Sequence, residues 1–225
     1  MRSASGCGYP VRFRTFDGMT ARIKSVLLTD FDEIRELPTQ LIREVIDNKA
    51  YPYRGWRAVV AQEKKIEDIM GSSGLQSYIL QLLEIFLVRN LNLKEYRFFG
   101  NESGNNLEKH TNFAFDKAIY RRRDVPRKEI KPKYINVPPV VVFEVDVDVD
   151  PLEESEIEYV HRKIARLLEY GVERVIWIFS GEVRRIIFAE PDREWRTVDW
   201  DTDLPIVDDL MLNLREAEIE DERLD

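Results

Sequence analysis

The sequence predicts an α/β fold in which helices flank a central mixed β-sheet. A nearly all-apolar run, Val140–Val145, is typical of a strand that is buried on both faces of a sheet. An amphipathic stretch that ends at Gly171 predicts a helix after it, and Arg174–Phe179 predicts a second buried strand. Residues 182–189 then continue as a hairpin. The order strand, helix, strand, hairpin therefore favours a sheet with both parallel and antiparallel neighbours.

The helix between the two buried strands has recognisable start and stop signals. Asp150 precedes a proline, which is favoured at the first position of a helix, so Asp150 is better interpreted as an N-cap than as a metal ligand. Gly171 is a natural stop at the other end. The predicted buried face of this helix consists of Ile157, Val160, Ile164, Leu167 and Leu168.

The elements before this block are predicted from shorter patterns. Ser73 and Gln76 have the spacing of a capping box at the start of a helix. Residues 93–120 predict two strands, joined by a Gly/Asn-rich turn at 100–106. The earlier part of the chain reads as a helix and then as strands. The helix is predicted at 39–48 and the strands at 53–70.

A chain of 225 residues is long enough for one sizeable α/β domain with extensions. The composition agrees with a globular domain, because 44% of the residues are hydrophobic and 11% are aromatic. We therefore expect a single domain at 11–215, with a flexible lead at 1–10 before it and an acidic tail at 216–225 after it. Within the domain, we expect an N-terminal helix/strand elaboration at 11–70 and a core at 71–215.

Cysteine and histidine content excludes several classes of site. The single cysteine, Cys7, cannot form a disulfide framework or a cysteine-rich metal site. The two histidines, His110 and His161, cannot bind zinc without help from carboxylates.

No stretch reaches the roughly 18 to 20 apolar residues that a membrane span needs. Residues 1–10 contain no apolar run of a secretory signal, so we expect a cytoplasmic protein with no membrane partner.

The negative charge of the chain is concentrated at one end. The formal net charge is −8, but residues 199–225 carry eleven acids against two arginines, so the rest of the chain is almost neutral. Within that rest, 116–133 holds eight Lys/Arg against three acids. This basic segment is either a solvated face or a contact for nucleic-acid backbone. The candidate nucleic-acid contacts are Arg121, Arg122, Arg123, Arg127 and Lys128.

Acidic side chains follow the first buried strand at alternate positions. Because strand side chains alternate between faces, Glu144, Asp146, Asp148 and Asp150 would project to one side. Unpaired carboxylates this close repel one another, and a hard cation such as Mg²⁺ or Mn²⁺ would resolve the conflict. The hypothesis of a metal site rests mainly on Glu144, since a buried acid needs a partner. Asp116, near the end of another apolar strand, is the expected further oxygen donor.

Lys163 is the candidate base or phosphate-stabilising group. On a helical wheel it lies at the margin of the buried arc that Val160, Ile164 and Leu167 define. A lysine at such a margin can lay its stem on the core and direct its ammonium group toward the end of the strand. The competing interpretation is a purely structural lysine.

These residues together resemble the Uma2 family (DUF820) of the PD-(D/E)XK, restriction-endonuclease-like superfamily. The resemblance lies in Pro138–Asp146, which reads PPVVVFEVD, in Lys163 eight residues before Gly171-Val172, and in the Trp-bearing strand VIWIF at 175–179. It implies a restriction-endonuclease-like core and a Mg²⁺-dependent endonuclease that acts on DNA. Asp116, Glu144 and Lys163 would be catalytic.

The resemblance also implies a set of metal ligands, and it has two departures from the family pattern. Asp116 and Glu144 would bind the metal together with the Val145 carbonyl, and Asp146 would be a secondary ligand. Phe115 stands where the motif usually has proline. Asp146 stands where the simplest motif has lysine, so activity would depend on the displaced Lys163.

Two other functions remain open at this stage. A chain that has lost cleavage would be a catalytically inactive nuclease-fold module that binds nucleic acid or protein. A large separation between the Lys163 ammonium and Glu144 would favour that alternative. The acidic residues 199–225 could instead act as an interaction segment or a DNA mimic. A homodimer is the expected assembly if the chain self-associates.

Overall fold

The computed structural model describes residues 13–14, 20–21, 37–108, 111–130, 135–147 and 154–224. The chain forms two compact units, Met1–Gly71 and Ser72–Asp225. The predicted lead at 1–10 lies outside the described residues, as do Asp148, Asp150 and the first turn predicted for the helix after them.

The first unit contains short strands and short helices. Strands β1 (Phe13–Arg14) and β2 (Thr20–Ala21) pair with each other, as do β3 (Ile42–Ile46) and β4 (Lys49–Pro52), all antiparallel. Helices α1 (Trp56–Val60) and α2 (Glu67–Met70) follow.

The prediction of a helix at 39–48 was wrong. Only a single 3₁₀ turn, Thr39–Leu41, is helical there, and a β-hairpin follows it. Asp47 and Asn48 join the two strands with φ of 53° and 61°. Two successive residues with positive φ make the turn type that matches the twist of a hairpin, and Asp and Asn tolerate this conformation. The turn signal therefore outweighed the helical spacing of the apolar residues.

The prediction of strands at 53–70 was also wrong. Gly55, with φ of 80°, turns the chain into α1, and Trp56 is buried at the start of that helix. The apolar run at 58–61 contains β-branched residues, which favour a strand only where neighbouring strands are available to pack against them. Here the run is part of a local helical turn.

The second unit is built on a six-stranded sheet in the order β10-β9-β8-β7-β6-β5. Strands β7 and β8 are parallel and the other neighbours are antiparallel, which confirms the predicted mixed sheet. The strands are β5 (Tyr96–Glu108), β6 (Thr111–Arg121), β7 (Val141–Asp146), β8 (Arg174–Phe179), β9 (Arg185–Ala189) and β10 (Arg196–Val198). A small pair, β11 (Leu204–Pro205) and β12 (Met211–Leu212), lies beyond them along the chain.

Three longer helices accompany this sheet: α3 (Gly74–Asn90), α4 (Glu154–Tyr170) and α5 (Leu214–Glu222). Buried residues of α3 form one core with Val141, Phe143 and Val145 of β7. Because side chains alternate, Val142 and Glu144 face the opposite side of the sheet. Helix α4 connects the parallel strands β7 and β8, as a crossover between parallel neighbours must. Among the described residues, no helix is both long and apolar enough to cross a membrane.

The turn predicted at 100–106 is instead part of β5. The two strands stay paired through this stretch, and the register shifts between Gly100 and Ser103. The Gly/Asn-rich composition therefore accommodates a bulge in a long strand, a common use of glycine in sheets. The reversal falls after Glu108.

The segment predicted as an acidic tail, 216–225, is helical as far as Glu222 and belongs to the second unit. Leu214 joins the hydrophobic core, and Glu218 is buried where it accepts hydrogen bonds from Arg184 and Arg215. A buried glutamate is tolerated because these two guanidinium groups neutralise it. The segment is therefore a packed helix over most of its length.

Gly171 ends α4, as predicted, and its backbone conformation provides a stability test. Gly171 has φ of 108°, and a Cβ atom there would lie 3.3 Å from Pro138 Cγ. We expect Gly171→Ala to lower the free energy of unfolding by about 1–3 kcal/mol, because an L-residue is strained at this φ. Gly74→Ala is the matched control. Gly74 is helical and has open space around its Cα, so the control should be neutral or slightly stabilising. Urea denaturation of both variants measures the difference, and equal stabilities would contradict it.

Candidate active site

Asp116, Glu144 and Lys163 come from three different elements. Strand β6 runs antiparallel to β7, and Lys117 pairs with Phe143 at the end of the ladder. The next positions along the two strands are Asp116 and Glu144, so the strand pairing brings these acids to one end of the sheet. Lys163 reaches the same end from α4.

The Lys163 ammonium group is paired with the Glu144 carboxylate. Lys163 Nζ lies 3.1 Å from Glu144 Oε1, and the two side chains are only 2% and 3% exposed. Lys163 also donates a hydrogen bond of 3.2 Å to the Ala114 carbonyl of β6. The wide separation between Lys163 and Glu144 that would have excluded a nuclease site is absent. A charged pair this deep needs good geometry and further polar partners to offset its desolvation, and the Ala114 carbonyl is one.

Two aromatic rings lie against the same ammonium group. Lys163 Nζ is 5.7 Å from the ring centroid of Phe113 and 5.7 Å from that of Trp177. Phe113 belongs to β6 and Trp177 to β8, so the rings come from the two strands that flank β7. Both distances lie within the range of a cation–π attraction, which strengthens where water is excluded.

Asp116 links the site to a groove beside α3. Its Oδ2 accepts a 2.8 Å hydrogen bond from the Val145 backbone N–H, which holds the carboxylate against the residue that follows Glu144. Gln76 Nε2 approaches the two Asp116 oxygens at 3.4 and 3.5 Å. The half-buried Asp116 also lines a groove of about 470 Å³. The other residues around that groove are Ser72, Ser77, Leu80, Gln81, Glu84, Ile85 and Lys117.

Asp146 is engaged within the β7–β8 pair. Its Oδ2 accepts a 2.8 Å hydrogen bond from Trp177 Nε1, and its carbonyl accepts from the N–H and hydroxyl of Ser180. Sequence alternation places Asp146 on the same face as Glu144. The structure gives its side chain a neutral indole N–H as a partner at short distance.

The donor set at this end of the sheet suits one type of cation. Within the described ranges there is no cluster of three or more His, Cys, Asp or Glu side chains able to enclose a metal ion. Mg²⁺ needs fewer protein ligands, because it retains several waters and is commonly held by one or two carboxylates. Asp116 and Glu144 therefore fit a hydrated Mg²⁺ or Mn²⁺, and they do not fit an ion held entirely by protein.

The predicted nucleic-acid contacts lie at the opposite end of the sheet. Arg121 is five residues along β6 from Asp116, which corresponds to about 16 Å at the rise of a strand. Its guanidinium group makes two hydrogen bonds to Glu173, of 2.6 and 2.9 Å, and these raise the pKa of Arg121. Arg122 donates to the backbone carbonyls of Leu93 and Tyr96. The remaining three candidates, Arg123, Arg127 and Lys128, are exposed.

The structure adds a buried lysine, paired with an exposed glutamate, that sequence reasoning missed. Lys117, only 3% exposed, lies 3.0 Å from the Glu84 carboxylate of α3 and 5.5 Å from the Phe98 ring centroid. Gly100 makes room for it, since a Cβ there would lie 3.4 Å from Lys117 Nζ. The available signal was a lysine directly after Asp116, inside an apolar strand, where a charge requires a partner.

Comparison with known proteins supports the fold. No family model matches the sequence, and no curated protein matches it. Among solved structures, the chain is similar to one described as "a putative nuclease belonging to DUF820 from Anabaena variabilis ATCC 29413", with a TM-score of 0.58 and 17% sequence identity. The similarity covers 83% of this chain and 96% of that one. The chain therefore has a nuclease-like fold, and the resemblance to DUF820 is confirmed at the level of the fold.

The buried ion pair yields a test that is independent of activity. We expect Lys163→Met to lower the free energy of unfolding by about 3–5 kcal/mol, because it leaves the Glu144 charge uncompensated in the interior. Adding Glu144→Gln should restore part of that loss. The coupling is measured by a double-mutant cycle under urea denaturation.

The matched control is the pair Arg174–Glu190, at the other end of the sheet, with side chains 25% and 14% exposed and N–O 2.9 Å. We expect a smaller coupling there, since residual solvent screens the charges. Equal coupling in both cycles would contradict a special role for the burial of Lys163.

Proposed function

We propose that this chain is a metal-dependent nuclease of the Uma2 (DUF820) type that hydrolyses phosphodiester bonds of DNA. The observation that carries the proposal is the buried Lys163–Glu144 pair beside Asp116 at one end of a nuclease-like sheet. Two carboxylates and one ammonium group, converging from three elements, are the groups that metal-assisted phosphate chemistry requires.

The metal-binding role falls to Asp116 and Glu144. When bound, a divalent ion would polarise the phosphate and lower the pKa of a coordinated water. The Val145 N–H orients the Asp116 carboxylate through a hydrogen bond of 2.8 Å. Lys163, at 3.1 Å, orients one oxygen of Glu144 and keeps positive charge where negative charge develops on the phosphate.

The groove along α3 supports an entry route for substrate. Glu144 and Lys163 are almost fully buried, whereas Asp116 is half-buried and lines the groove. Hydroxyl and amide groups of Ser72, Ser77 and Gln81 line the same groove and can donate hydrogen bonds to a sugar-phosphate strand.

The basic segment 121–128 suits a contact away from the reacting phosphate. A separation of about 16 Å corresponds to about five nucleotides, at 3.4 Å each along one strand. The exposed Arg123, Arg127 and Lys128 would then bind phosphates without reading sequence. This assignment separates the cleavage site from the electrostatic binding site.

A catalytically inactive nuclease-fold module remains the second candidate. The observation in its favour is Asp146, which stands where the simplest motif has lysine and is bonded to Trp177. In such a module the Lys163–Glu144 pair would serve only to stabilise the core. A homodimer, a cytoplasmic location and a role of the acidic 199–225 segment as a DNA mimic stay predictions.

Cleavage assays test the principal proposal. Supercoiled plasmid, linear duplex, single-stranded DNA and RNA are incubated with Mg²⁺ or Mn²⁺ and with EDTA. We expect metal-dependent cleavage of DNA by the wild type. We also expect a loss of at least about 100-fold in Asp116→Asn, Glu144→Gln and Lys163→Met, because each removes a charged group from the reacting phosphate.

Glu190→Gln serves as the control, since it breaks the ion pair with Arg174 far from the site. Its rate should equal that of the wild type. Equal cleavage by the wild type and all site variants would indicate a contaminant and reject the proposal. Binding of DNA without any cleavage would favour the inactive module.

The basic segment is tested through the salt dependence of binding. We expect Arg127→Ala/Lys128→Ala to weaken binding of a 30-base-pair duplex and to reduce the slope of log K against log salt by about 2, because two phosphate contacts are lost. Lys64→Ala/Lys65→Ala removes two exposed charges elsewhere and should leave the slope unchanged. Fluorescence anisotropy at several salt concentrations measures both, and equal slopes would remove the segment from the interface.

A further inference from the structure

Lys163 lies on a helix and not on the strand that carries Glu144, so other groups must hold its ammonium group beside Glu144. A lysine side chain is a flexible four-carbon stem, and holding it in one conformation costs side-chain entropy. Lys163 projects from α4, whereas the acid that it contacts belongs to β7. Small movements of the helix against the sheet would therefore separate the two charges unless other groups hold the ammonium.

Phe113 and Trp177 are placed to hold it. Their ring centroids each lie 5.7 Å from Lys163 Nζ, and both rings are buried. They belong to the strands on either side of β7, so the ammonium is held by groups from both neighbours of the strand that carries Glu144. We call Phe113 and Trp177 the aromatic clamp.

The Trp177 ring is itself fixed by two contacts. Asp146 Oδ2 accepts the indole N–H at 2.8 Å, within the buried interior. Tyr159 packs edge-on against the ring, with centroids 6.0 Å apart and an interplanar angle of 83°. Tyr159 lies one helical turn before Lys163 on α4, so the same helix carries the lysine and a group that orients the clamp.

We infer that Asp146 is a positioning residue, which sets the Trp177 ring and through it the place of the Lys163 ammonium beside Glu144. It is therefore not a metal ligand. The inference rests on the proposed function, because it concerns the same site. Asp146 stands at the strand position where the simplest family motif has its lysine, and it supports Lys163, which replaces that lysine from α4. An Asp146 oxygen accepts the Trp177 indole N–H. Asp116 and Glu144 supply the carboxylates for the metal.

The substitution Asp146→Asn separates the two roles. Asparagine keeps an oxygen that accepts the Trp177 N–H but loses the negative charge that a metal ligand supplies. We expect Asp146→Asn to retain the cleavage rate and the Mn²⁺ affinity of the wild type within about threefold. Asp146→Leu, which has no acceptor, should lower kcat at least about tenfold with Mn²⁺ affinity unchanged. Asp116→Asn is the reference for a true ligand and should lose at least about tenfold in Mn²⁺ affinity.

Mn²⁺ binding is measured by electron paramagnetic resonance on the full chain. A loss of Mn²⁺ affinity in Asp146→Asn comparable to that in Asp116→Asn would overturn the inference and make Asp146 a ligand. Equal kcat in Asp146→Leu and the wild type would overturn it as well.

Nuclear magnetic resonance tests the clamp without metal or cleavage. The Trp177 indole N–H signal is assigned with Trp177→Phe, and the Lys163 ε-methylene signals with Lys163→Arg. We expect ring-current shifts of the Lys163 signals that persist in Asp146→Asn and diminish in Asp146→Leu. Trp177→Phe, which retains a ring and the core packing, should change these shifts only partly.

The two readouts distinguish failure of the inference from failure of the proposed function. Lys163 signals that are unaffected in Asp146→Leu would reject the clamp even if the wild type cleaves DNA. A wild type that neither binds Mn²⁺ nor cleaves any substrate would reject the nuclease proposal. In that case, displaced Lys163 signals in Asp146→Leu would still support the placement of Lys163 by Asp146.

Discussion

The buried ion pair between Lys163 and Glu144 ties the candidate active site to the packing of the second unit. Both charges lie in a mostly apolar interior, where the cost of desolvation is offset only by close approach and additional polar contacts. The pair joins α4 to β7, and the bond from Lys163 to Ala114 extends the link to β6. A displacement of α4 against the sheet would separate these charges, so the position of the helix is tied to that of the site.

The chemistry at this end of the sheet follows from that arrangement. Glu144 is paired with the Lys163 ammonium group, and the Val145 N–H holds the Asp116 carboxylate beside the residue that follows Glu144. Glu144 is deeply buried, whereas Asp116 borders the groove beside α3. In the proposed function, a cation and a phosphate would approach from that groove while Lys163 stays inside. The acidic helix α5 is anchored through Glu218 and Arg184 and supplies no group to this set.

The parts of the fold that were predictable share one property: their signals are local and repeated. The buried strands β7 and β8, the helix between them and its end at Gly171 each have several agreeing residues. The failures at 39–48 and 53–70 involve short segments in which one or two turn residues outweigh the apolar pattern. At 100–106 the error was the reverse: Gly and Asn predicted a turn, but the strand continues through a bulge. A bulge and a turn use the same residues.

The sequence by itself determined that a glutamate ends up in a buried strand, and that a lysine lies at the margin of the following helix. A charged residue within an apolar pattern of strand or helix spacing is sufficient to predict both positions. Tertiary structure alone decided which groups meet. Strand pairing placed Asp116 next to Val145, the crossover placed Lys163 at Glu144, and the parallel pair of β7 and β8 gave Asp146 to Trp177. Those partners are separated by 19 to 31 positions in the chain. No local pattern encodes contacts at such distances, since they depend on register and packing.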